Sequence, residues 1–109
     1  MRILIECAPK ALKAEIAAHG YDCTTVPEAG WSGKENGELL WLADSRFDVL
    51  VTLDRKLRYQ QNLTGRRIAL LVIRARSNRL ADLQPHFASS IEALRLIKPG
   101  SIVEIGLTL

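Results

Sequence analysis

The chain has 109 residues, 48% hydrophobic and 25% charged, with a net charge of +3. That length holds one domain with a real core and not two, and the composition is that of an ordered globular protein. No apolar run approaches the roughly 20 residues that span a bilayer, and the short apolar run over 3–5 is too brief for a signal peptide, so a cytoplasmic location is expected.

Ile3-Leu4-Ile5 is an apolar, largely β-branched run without alternation, which predicts a strand buried on both faces. Glu6 closes it, and Pro9 stands where the first turn of a helix tolerates proline. Over 10–19, Leu12, Ile16 and Ala17 share one face with Lys10, Lys13 and Glu15 elsewhere, predicting an amphipathic helix that stops at Gly20. Residues 23–26 read as a second strand closed by Pro27. A glycine-bearing loop over 28–37 leads into a helix over about 36–46, with Leu39, Leu40, Leu42 and Ala43 as its apolar stripe. A third strand over 49–51 runs on to Thr52, Leu53 and Asp54. A short helical or irregular piece over 55–63 turns at Thr64-Gly65 into the most hydrophobic strand, 68–73. The segment 74–79 then leads to a helical region interrupted by Pro85, and Pro99-Gly100 precedes a last strand over 102–105.

Strands alternating with helices predict an α/β fold: a three-layer α/β/α sandwich around a mostly parallel five-stranded sheet, in a single domain over 1–109. Right-handed crossovers leave few strand orders, of which 2-1-3-4-5 is favoured. In an open sheet of this kind, ligands bind beyond the carboxyl ends of the strands where the order reverses. That point lies between the first and third strands, so Glu6 and Asp54 are expected to meet there. Neighbouring strands are about 5 Å apart, close enough for two carboxylates to share one divalent cation, and like charges so close need a cation or a proton between them.

Glu38, opening the second helix at the same edge, is a third candidate acid, with Glu35 as an alternative. Hard oxygen donors suit Mg²⁺ or Mn²⁺, and such a centre suits hydrolysis of a phosphodiester. A structural role competes for each acid. Asp54 fits as a cap for the segment starting at Arg55, Glu6 as an ion-pair partner of Lys10, and Glu38 as a favourable charge in a first helical turn.

No acidic residue lies between Asp54 and Asp82, an interval that holds Arg55, Lys56, Arg58, Arg66, Arg67, Arg74, Arg76 and Arg79. Such a block either binds a polyanion such as nucleic acid or forms a solvated basic surface. On the nucleic-acid reading, Lys10, Arg55, Arg58, Arg74, Arg76, Ser77, Asn78 and Arg79 border the acids, and Tyr59 either stacks on a base or packs in the core. Cys7 and Cys23 with His19 and His86 make no disulfide framework, zinc spacing or triad. Both cysteines read as small buried apolar residues, and Trp31 and Trp41 as core residues or partial surface anchors. There is no P-loop and no dinucleotide fingerprint.

Four segments, in order, resemble the small PIN-like proteins across essentially the whole chain: "RILIECAP", "GWSGKENGELL", "DVLVTLD" and "RRIALLVIRARSNRLADL". The resemblance implies the PIN nuclease fold and a Mg²⁺- or Mn²⁺-dependent ribonuclease, the toxin component of a prokaryotic toxin–antitoxin pair. It implies Glu6, Glu38 and Asp54 as the metal-holding catalytic acids, a small helical DNA-binding antitoxin as partner, and a homodimer. The chain departs from the family pattern where Ile5 stands at a usual aspartate ahead of Glu6. Asn36 and Gly37 occupy positions where acids are common, and Lys56-Leu57 replaces an acid–aromatic pair. The thinned acidic set supports a second expectation, a PIN-like module that binds RNA or protein without cleaving.

Overall fold

A computed structural model of the protein describes residues 1–6, 8–54, 63 and 65–106. Five strands, β1 (Arg2–Glu6), β2 (Asp22–Thr25), β3 (Val49–Thr52), β4 (Ala69–Arg74) and β5 (Ile102–Gly106), form one sheet in the order β2-β1-β3-β4-β5. Every pairing is parallel. Helices α1 (Lys10–Ala18), α2 (Asn36–Ala43), α3 (Leu80–Leu83) and α4 (Phe87–Leu96) cover it, with a 3₁₀ turn, Gln84–His86, between the last two. The α/β sandwich and its strand order are those expected, and the sheet is parallel throughout.

The central strands explain the unbroken apolar runs. Because residues alternate faces along a strand, Leu4, Leu50, Leu70 and Val72 pack beneath α2 with Leu39, Leu40 and Ala43, together with Trp31 and Phe47. Ile3, Ile5, Val49, Val51, Leu71 and Ile73 face the other way, onto Leu12 and Ile16 of α1, Leu83 of α3 and Leu94 of α4. A strand covered on both sides has no polar face to show. The edge strands β2 and β5 are only half-buried.

The structure refines three details. Ala17 is exposed, so only Leu12 and Ile16 anchor α1. Trp41 is 68% exposed while Trp31 is in the core, because α2 turns Leu39, Leu40 and Ala43 to the sheet and leaves position 41 outward. The helix also ends at Ala43 rather than 46. Pro85 falls in the 3₁₀ turn that separates α3 from α4, where its missing N–H breaks the helical ladder. Among the described residues no helix is long and apolar enough to cross a membrane.

Candidate active site

The reversal of strand order lies between β1 and β3, whose register sets Ile3 against Val49, Ile5 against Val51 and Glu6 against Thr52. Leu4 and Leu50 lie on the α2 side, so alternation carries Glu6 and Thr52 onto that same side at the carboxyl edge. Thr52 is fully buried. Its Oγ1 donates to Glu6 Oε2 at 2.7 Å and accepts the Asp54 N–H at 3.0 Å. One hydroxyl proton is thereby used once, toward the carboxylate, and a lone pair receives the main chain.

The Thr52 hydroxyl therefore joins the Glu6 carboxylate to the Asp54 main-chain N–H at this edge. The residue level with Glu6 on β3 is Thr52, and Asp54 lies two positions beyond the strand end. Thr52 was not among the candidate site residues. The one polar side chain in the run Val49-Leu50-Val51-Thr52, two residues before the acid, was the available signal.

Glu38 lies in the first turn of α2, mostly exposed, with Lys34 Nζ at 3.3 Å from its carboxylate. Glu35 precedes the helix as its N-cap residue. Among the described residues no group of three or more acidic, histidine or cysteine side chains is placed to hold a metal ion.

The neighbouring strands continue the line across the sheet. Thr52 pairs with Val72, and Val72 with Glu104, so Glu6, Thr52, Val72 and Glu104 stand in one transverse line across four strands. Arg74, two residues beyond Val72 on the same side, has its Nε 3.0 Å from Glu104 Oε1. The Nε–H is not aligned on that oxygen, so this is a charge contact rather than a directed hydrogen bond.

Beyond β4, Arg76, Asn78 and Arg79 are exposed. Ser77 is half-buried and held locally. Its hydroxyl donates to Asp82 Oδ2 at 2.6 Å and accepts the Arg79 N–H at 3.0 Å, tying the loop to α3. Lys10, exposed at the start of α1, shares with Asn78 a groove of ≈ 910 Å³ whose walls include Pro9, Lys13 and Pro27. Lys13 closes onto Glu28 at 2.8 and 2.9 Å. Glu28 Oε1 also accepts the Thr25 N–H at 2.9 Å. Lys13 first, and Thr25 after it, hold the Glu28 carboxyl down at about 2. Burial pushes the Cys23 thiol up.

Arg55, Arg58 and Tyr59 lie outside the described residues, as does Cys7. The remaining cations do not form one patch. Arg66 and Arg67 precede β4, and Arg67 lines a separate groove with Met1, Asp48 and Pro99 at the amino edge. Arg74, Arg76 and Arg79 end or follow β4 at the carboxyl edge.

Comparison with protein-family models, with curated proteins and with solved structures returned no match. The functional reading therefore rests on the residues and geometry of this edge.

Proposed function

We propose that the chain is a Mg²⁺- or Mn²⁺-dependent endoribonuclease of PIN-like type, acting in the cytoplasm as the toxin of a toxin–antitoxin pair. The observation that carries the reading is the double hydrogen bond of Thr52, which joins the Glu6 carboxylate to the Asp54 main chain where the strand order reverses. Binding at such a point is the general rule for open α/β sheets. Arginines leaving the adjacent strand border it, as a polyanionic substrate requires.

The donor chemistry fits the metal. Mg²⁺ takes one or two carboxylates, keeps several waters, and prefers hard oxygens throughout. Glu6 and Asp54 would hold it, while Glu38, the third acid that the family resemblance implies, is paired with Lys34. A bound ion supplies Lewis acidity to the phosphate and acidity to a coordinated water. The chain's own contribution is positional. Thr52 restrains the Glu6 carboxylate and the turn into Asp54, while Arg74, Arg76 and Arg79 carry the charge that meets phosphate oxygens. Lys10 and Asn78 line the groove open to flanking nucleotides. The small helical DNA-binding antitoxin and a homodimer belong to this reading through the family resemblance.

The test is cleavage of single-stranded RNA by the purified chain in Mn²⁺. Asp54→Asn abolishes cleavage on this account, and undiminished cleavage by that variant overturns the mechanism. A second reading, an RNA- or protein-binding module without catalysis, is favoured by the Glu38–Lys34 ion pair, which occupies the third candidate acid. It predicts RNA binding by the wild type, no cleavage, and no response to Asp54→Asn.

A further inference from the structure

Arg74 and Glu104 belong to strands that meet only in the sheet, and together they make the one ion pair among the described residues in which both side chains are mostly buried, 25% and 17% exposed. Three features converge on Arg74. Glu104 lies one step inside it on β5, opposite Val72 and on the same side of the sheet. Gly106 is its register partner, at a φ of +106°, and a Cβ there would run into the Arg74 main chain. Third, the Nε of Arg74 is buried, and Glu104 is the partner of its guanidinium among the described residues. A guanidinium carries five N–H donors in a rigid fork. Its Nε lies 3.0 Å from Glu104 as a charge contact, and the two terminal nitrogens are the pair of donors whose spacing matches a phosphate.

We propose that Glu104 is a positioning residue that aims the Arg74 fork at a phosphate of the RNA backbone, one that flanks the Glu6–Asp54 centre. The inference rests on the RNA-directed reading of this edge and adds to it how the substrate is held in register. Arg74 and Glu6 project from the same side of the sheet on strands separated only by β3. A phosphate gripped by Arg74 therefore lies one or two nucleotides along the backbone from the acids.

The sign of the Glu104 effect separates positioning from simple neutralisation. A carboxylate that only cancels the charge of Arg74 repels RNA, so its removal strengthens binding. A carboxylate that orients the fork has the opposite effect.

The experiment is anisotropy of a short labelled single-stranded RNA with the full chain in EDTA, repeated across salt concentrations. Arg74→Gln weakens binding and lowers the slope of log K against log salt by about 0.7, the share of one neutralised phosphate. Glu104→Gln weakens binding by about tenfold, and the Arg74→Gln/Glu104→Gln double variant binds no worse than Arg74→Gln alone. Arg74→Lys, which keeps the charge and removes the fork, also weakens binding, and it decides the question if Glu104→Gln does not fold. The inference is overturned if Glu104→Gln binds RNA as tightly as the wild type or more tightly, if the double variant binds more weakly than Arg74→Gln, or if Arg74→Lys binds normally. Those results leave the ribonuclease reading in place. Failure of the wild type to bind any RNA removes both.

Discussion

The two ends of the sheet carry similar residues and use them differently. At the amino end, Asp44 Oδ1 accepts the main-chain N–H groups of Arg67 and Ile68, each at 2.9 Å, and Asp48 Oδ2 accepts that of Arg2 at 2.7 Å. These carboxylates staple the entries to β1 and β4. At the carboxyl end, Glu6 is oriented by the Thr52 hydroxyl and Glu104 lies against the Arg74 guanidinium. Both ends have a groove, ≈ 680 Å³ at the amino end and ≈ 910 Å³ at the carboxyl end. A groove and a nearby acid therefore do not distinguish them. The partner does: an acid bonded to main-chain donors is consumed by the fold, whereas one set by a neighbouring side chain is aimed.

The sharpest way to break this contrast is to remove charge at one end and read the function of the other. Glu6→Gln lowers RNA cleavage by about 100-fold or more, with a thermal midpoint near that of the wild type. Asp44→Ala does the reverse. It strands the N–H of buried Ile68 along with that of Arg67 and costs about 2 kcal/mol in urea unfolding, while cleavage per folded molecule stays unchanged.

Thr52→Val tests the link between the acids. It keeps the shape, removes the hydroxyl from both Glu6 and the Asp54 N–H, and lowers cleavage by about tenfold with a stability loss of about 1 kcal/mol. The smallest effect concerns Glu28, outside both sets of acids. Its carboxyl is lowered from 4.5 to about 2, so its ion pair with Lys13 contributes stability above pH 4.5 that is lost as the pH falls through about 2. Glu28→Gln lowers stability slightly at neutral pH, flattens that part of the acid limb in a pH series of unfolding curves, and matches the wild type below about pH 2.

Much of the scaffold was legible because the central strands are continuous apolar runs between helices, and parallel sheets buried on both faces demand such runs. The strand order followed, and with it the edge that the ends of β1 and β3 share. What escaped was set by register and by long-range pairing. Thr52 stands opposite Glu6 only because β3 pairs from Val49 against Ile3. Arg74 and Glu104 lie 30 positions apart in the numbering, and nothing local to either announces the other.

The arginine block read as one patch because it is continuous in sequence. The six residues of β4 carry Arg66 and Arg67 about 20 Å from Arg74, to the opposite edge. Ser77, expected beside the substrate, also bonds locally to Asp82 and the Arg79 N–H, a side-chain-to-backbone turn that its spacing to the acid foreshadowed.

The most direct test of the central claim, that Glu6 and Asp54 form one centre at the carboxyl edge, is calorimetric titration of the purified chain with Mn²⁺. The account predicts one saturable site in the wild type, lost in both Glu6→Gln and Asp54→Asn and retained in Asp48→Asn at the amino edge. Equal Mn²⁺ binding by Glu6→Gln and the wild type, or its loss in Asp48→Asn alone, would contradict it.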